Sequence, residues 1–171
     1  MATKDTSLFV KRDATFSPCR RYRYTLTIVW DDSKPLAAFI GLNPSTADEV
    51  QDDPTIRRCR DFAALWGCGG MVMLNLFAFR ATDPNVMKAE REPIGEGNTL
   101  VELVTKFGVT GPLVAAWGKH GRHLDRGAQV KTLFSLTGRD LQCLGLNKDG
   151  SPKHPLYLAK VTKLQPLEVV L

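Results

Sequence analysis

Four short apolar runs punctuate the chain: Leu36–Gly41, Met71–Leu76, Pro112–Trp117 and Leu141–Leu146. Between them lie segments whose apolar residues recur at helical spacing. Ile56, Cys59, Phe62, Ala63 and Leu65-Trp66 form one such stripe. Leu100, Val101, Leu103 and Val104 form a second within Glu96–Phe107, and Leu124–Leu136 carries a third. Strand alternating with helix is the signature of parallel strands joined by helical crossovers, because parallel neighbours need a long connection and a helix supplies it. Runs apolar at every position also suit strands covered on both faces. The expected fold class is α/β.

The punctuation agrees with that reading. Asp53 is placed to cap a helix that opens on Pro54, since proline at the first helical position loses no hydrogen bond. Tyr22–Trp30 is rich in β-branched and aromatic residues and reads as a further strand. The turn residues Asp31–Pro35 follow it, so Tyr22–Trp30 and Leu36–Gly41 are expected to pair as a hairpin. The stretch from Phe77 to Pro93, broken by Pro84 and Pro93, reads as a long loop. Residues 1–20 are polar and basic without a period and read as an N-terminal arm. Residues 21–171 then form a single domain, a length that supports one substantial core.

The apolar fraction of 43% and charged fraction of 24% are ordinary for a globular protein. No run is long enough to cross a bilayer, and Met1–Asp5 is polar, without a secretory h-region. A cytoplasmic, non-membrane protein is expected. The net charge of +5 and a pI near 9.1 favour a polyanionic partner such as nucleic acid. Arg57, Arg58, Lys119 and Arg122 are the candidate contacts to its backbone. Cys19, Cys59, Cys68 and Cys143 include no Cys-x-x-Cys pair, so reduced thiols are expected and no metal or other cofactor is called for.

The apolar runs end in residues that can carry chemistry. Gly41-Leu42-Asn43-Pro44 closes the first, and Pro44 stops the ladder because it has no N–H. Asn75 closes the second beside Phe77 and Phe79. Trp117-Gly118 closes the third, and His154-Pro155 follows the fourth across a polar loop. In a parallel sheet these ends share one rim, where ligands bind. Asn43 can donate and accept without titrating, and it can equally cap a turn before Pro44. Asp48, Glu49, Asp52 and Asp53 offer a general base or an Mg²⁺ ligand, or simply an acidic helix start. Asn75 with Phe77 offers an amide and an aromatic face for a nucleobase, or Phe77 and Phe79 are core. His154 can donate to a developing anion.

The strings Gly41–Asp48, Asp52–Cys59 and Asn75–Thr82 resemble the bacterial and phage domain-of-unknown-function family 1643, with likeness over most of residues 20–165. More distantly, Gly41-Leu42-Asn43-Pro44 is similar to the Gly-Ile-Asn-Pro motif of the uracil-DNA glycosylase superfamily. Asn75, Trp117-Gly118 and His154-Pro155 follow in that superfamily's order. The resemblance implies a three-layer α/β/α sandwich with a mostly parallel central sheet. It implies a hydrolase of N-glycosyl bonds in DNA or a nucleotide. Asn43, with Asp48 or Asp53, would position water; Asn75, Phe77 and Trp117 would hold the base; His154 would stabilise the leaving base. The chain departs from the pattern after His154-Pro155, where Leu156-Tyr157-Leu158 stands in place of Ser-Pro-Leu-Ser, and Ser45 replaces a small glycine. Two other readings stay open: a non-catalytic nucleotide, modified-DNA or protein binder in the same crevice, and an Mg²⁺-dependent nucleotide-processing enzyme built on Asp48, Asp52 and Asp53.

Overall fold

The structure is a computed structural model that describes residues 10–46 and 53–169. It is a mixed α/β fold. Seven strands form one sheet in the order β1-β2-β4-β3-β5-β6-β7, where β1 is Lys11–Phe16, β2 Arg23–Val29, β3 Leu36–Gly41, β4 Gly70–Asn75, β5 Leu113–Ala115, β6 Gln142–Cys143 and β7 Gln165–Pro166. The four inner strands β4, β3, β5 and β6 run parallel, while β1, β2 and β7 add antiparallel edges. The sheet is therefore mixed rather than mostly parallel. The helices are α1 (Pro54–Leu65), α2 (Pro84–Ala89), α3 (Leu100–Lys106) and α4 (Arg126–Leu136).

Alternation along β3 and β4 sorts their side chains onto two separate cores. Ala37, Phe39, Met71 and Met73 pack with Ile56, Cys59, Phe62 and Ala63 of α1. Ala38, Ile40, Val72 and Leu74 face the other way, toward Leu100 and Val104 of α3 and Val130 and Phe134 of α4. Both strands are buried almost throughout, as their unbroken apolar runs require. The chain thus leaves β3 onto one face and leaves β4 and β5 onto the other. Because β3 lies between those two strands, a crevice opens at its carboxyl end, the ligand position expected at a switch of direction.

Four sequence expectations are corrected. No hairpin joins β2 to β3, because β4 is inserted between them: Leu26 pairs with Met73 on one side and Phe39 with Met73 on the other. Part of the expected N-terminal arm, Lys11–Phe16, is instead an edge strand on β2. The expected loop from Phe77 to Pro93 contains α2, with Asp83 capping the Asn85 N–H and Pro84 opening the helix. The last long helix begins at Arg126 and not at Leu124, because Leu124 (φ 52°) and Asp125 (φ 55°) are both left-handed. The short 3-10 turn Lys119–Asp125 occupies the space before it.

Candidate functional site

A cavity of about 570 Å³ opens at the carboxyl ends of β3, β4 and β5. Its wall includes Asn43, Asp53, Asn75, Trp117, Lys119 and His154, drawn from five separate segments. Asn75 ends β4 at 2% exposure. Its side-chain amide makes no hydrogen bond among the described residues, although its main-chain oxygen accepts from Asn98 Nδ2 at 2.9 Å. An amide that lines a cavity without a protein partner can pair with water or with a ligand there. Gly41 makes room for that amide: a Cβ there would lie 3.0 Å from Asn75 Oδ1 and 2.6 Å from Met73 Cε.

Asn43 is half-buried just beyond β3. Its Nδ2 donates to Ala81 O at 2.8 Å, with Pro44 O at 3.2 Å and Phe79 O at 3.4 Å. Three carbonyls around one nitrogen settle the orientation of the amide, since an oxygen there would face oxygens. Oδ1 accepts from no donor among the described residues and remains able to orient a water or a ligand N–H. Asn43 also ties its own loop to the segment after β4, so it builds the wall that it lines.

Asp53 caps α1 through Oδ1, which accepts from Ile56 N at 2.9 Å, and Oδ2 accepts from Ser45 Oγ at 3.2 Å. One carboxylate thus joins the helix start to the Asn-Pro turn. His154 stands at the cavity mouth, and its Nδ1 accepts from Leu156 N at 3.3 Å. That bond assigns the proton of the neutral ring to Nε2. The ring keeps contact with solvent, yet the protein packed around it pushes its pKa below the ordinary histidine value, and the Asp53 carboxylate opposes the shift. Asp53 is therefore close enough for His154 to feel its charge. Trp117 is almost buried, and the turn that follows closes against it: a Cβ on Gly121 would lie 2.1 Å from Trp117 Cδ1.

Several candidates fall elsewhere. Phe77 is fully buried in the α3–α4 core with its ring 5.4 Å from that of His123, so it cannot stack on a ligand in the cavity. Arg57 is exposed and lines a separate depression with Trp30, Arg60 and Asp61. Arg58 donates Nη2 to Leu158 O and lies 5.0 Å over the Phe62 ring. It fastens the segment after His154 to α1 and is not displayed to a partner. Arg122 lies outside the cavity, paired with Asp149 at 3.8 Å. Asp48 and its neighbours Glu49 and Asp52 lie outside the described residues. Cys59, Cys68 and Cys143 are buried free thiols and Cys19 is an exposed one.

Other residues enter the site without having been singled out for it. Arg23, 4% exposed, lines the cavity. It follows a break in register, where Thr15 faces Thr25 but Phe16 faces Arg23, and such bulges re-aim side chains. Asn98 and Arg126 hold the end of β4: Asn98 Nδ2 also donates to Leu76 O at 3.1 Å, and Arg126 Nε donates to the same oxygen at 3.2 Å. His120 and Lys153 line the cavity too. From the sequence, His120 and His123 beside Arg122 read as phosphate contacts or as a solvated helix start, and the structure places His120 on the cavity wall.

The family model described as "Protein of unknown function (DUF1643)" matches residues 23–156. No curated protein and no solved structure matches the chain.

Proposed function

The chain belongs to the DUF1643 family, and on that premise we propose that it is a glycosylase-like hydrolase acting on a nucleobase in DNA or in a nucleotide. The observation that carries this reading is the Asn75 side-chain amide, which lines a cavity shared with Asn43, Asp53 and His154 and makes no hydrogen bond among the described residues. An amide offers one donor and one acceptor side by side, which matches the lactam or amidine edge of a base. Trp117 supplies an apolar wall, and Tyr157, 93% exposed at the rim, supplies a ring that can occupy the gap left by an extruded base. The two cores on opposite faces of the sheet are consistent with a three-layer glycosylase-like sandwich.

In this reading Asn43 Oδ1 orients a water toward the sugar carbon that bears the base. As the water oxygen bonds to that carbon, the carbon–nitrogen bond breaks and its electron pair leaves with the base. The Asp53 carboxylate takes the water's proton, and His154 Nε2–H donates to the departing base anion. A neutral histidine suits that donation because the Leu156 N–H occupies Nδ1 and leaves the ring proton on Nε2.

The test is base release from oligonucleotides and nucleotides carrying normal, deaminated and modified bases. Release by the wild type is expected, with a loss of two or more orders of magnitude in His154→Gln and Asn43→Ala. No release from any substrate by the wild type would sink the catalytic reading. A non-catalytic binder is the second reading, favoured by the commitment of Asn43 Nδ2 to three carbonyls. It predicts base binding that survives His154→Gln and is lost in Asn75→Ala. The Mg²⁺ alternative rests on Asp48, Asp52 and Asp53, of which the first two lie outside the described residues; among those described, no group of three His, Cys, Asp or Glu residues is placed to hold a metal.

A further inference from the structure

A second cleft of about 450 Å³ lies beside the cavity, between α2 and the Lys119–Asp125 turn. It is lined by Lys88, Lys119, His120, Arg122, His123 and Asp149. Lys119 and His120 line the cavity as well, so the two spaces share a wall. Three permanent cations thus face one carboxylate. Lys88 and Lys119 have no carboxylate partner among the described residues. The carboxylate, Asp149, is already engaged by Ser151 N and Oγ and by Arg122.

The hydrogen bonding of the cleft is equally one-sided. Lys88 Nζ lies 2.8 Å from His120 Nδ1. An ammonium group only donates, so His120 accepts at Nδ1, is neutral, and carries its proton on Nε2. Burial, Lys88 and Lys119, in that order, push the pKa of His120 below the ordinary histidine value. Lys88, Lys119, Arg122 and His120 are then all donors, arriving from α2 and from the turn. What the cleft lacks is a group with several acceptor oxygens and negative charge.

We propose that this cleft is a phosphate subsite, in which Lys88, Lys119 and Arg122 hold the phosphate attached to the nucleoside whose base enters the cavity. The inference rests on the base-binding reading of the cavity, not on its catalysis. A phosphate oxygen array suits donors converging from two elements better than a planar carboxylate, which pairs best with a single arginine fork. The shared wall of Lys119 and His120 places the anion next to the base. The phosphate can belong to a free nucleotide or to a polynucleotide strand.

The test compares binding of deoxynucleosides, their 3′- and 5′-monophosphates and a short fluorescein-labelled single-stranded deoxyoligonucleotide. The proteins are wild type, Lys88→Gln/Arg122→Gln and Asn75→Ala, at about pH 8, where histidines are neutral. A monophosphate should bind wild type about tenfold or more tighter than its nucleoside. The double variant should erase that advantage, flatten the salt dependence of oligonucleotide binding and leave nucleoside affinity unchanged. Asn75→Ala should weaken nucleoside and nucleotide alike. A gain confined to monophosphates assigns the subsite to a free nucleotide, and one that grows in the oligonucleotide assigns it to a strand. Equal affinity of nucleoside and monophosphate for the wild type, or a phosphate advantage that survives in the double variant, overturns the subsite. A phosphate advantage lost in the double variant but with no base released supports the subsite while the catalytic reading fails; base release indifferent to the double variant does the reverse.

Discussion

Asn75 and Gly41 work as a pair across neighbouring strands. They face each other in the parallel register of β3 and β4, and the missing Cβ of one leaves space for the amide of the other. Met73 Cε is the flexible end of a side chain and can yield to a methyl group; the Asn75 amide, held by its place at the strand end, has less freedom. Gly41→Ala is therefore expected to lower nucleobase affinity about tenfold while shifting the denaturation midpoint little. Phe62→Ala, which empties the α1 core, should cost about 3–5 kcal/mol by the same unfolding measurement. Unchanged base affinity in Gly41→Ala would mean that the Asn75 amide does not meet the ligand.

The start of α1 shows how one side chain serves structure and chemistry together. Asp53 caps the helix and braces Ser45 in the Asn-Pro turn, and its charge reaches His154. The two duties separate by substitution, because asparagine caps a helix about as well as aspartate but takes no proton. Asp53→Asn should keep the stability of the wild type within about 0.5 kcal/mol, whereas Asp53→Ala should lose about 1 kcal/mol. Base release should fall sharply in both. Turnover retained in Asp53→Asn would remove Asp53 from the reaction and leave it a capping residue. The Lys119–Asp125 turn holds its shape for a different reason: Gly121 lies against the Trp117 ring, so the turn that carries Lys119 and His120 is seated on the cavity's own wall.

For the molecule as a whole, the two cavity histidines contribute to the response to acid near neutral pH. Both have folded-state pKa values below the ordinary histidine value, mainly through burial. The unfolded chain therefore takes up protons first as pH falls. Between the ordinary value and the lower folded values, the unfolded state binds more protons, and stability drops as pH drops. Urea midpoints should decline from about pH 7.5 to about pH 5.5, and His120→Asn/His154→Asn should decline less. An equal decline in both proteins would place the acid sensitivity elsewhere. Base release, which follows the folded-state histidines, should fall only at a pH below the ordinary histidine value.

Much of the architecture is legible in the order of residues alone. Apolar runs of strand length, helical stripes between them, and an Asp-Pro helix start are local signals, because each depends on spacing within one segment. They suffice for the α/β alternation, for the α1 cap and for the prospect that Asn43, Asn75, Trp117 and His154 stand at strand ends. What folding alone decided is non-local. The insertion of β4 between β2 and β3 separates chain neighbours that a short turn would have paired. The burial of Phe77, the diversion of Arg58 to Leu158, the turning of Arg23 by a bulge and the meeting of Lys88 with His120 all depend on which surfaces pack together. A side chain's sequence position says which face of its element it occupies, but only the packing of one element on another decides whether that face meets protein, solvent or a cavity.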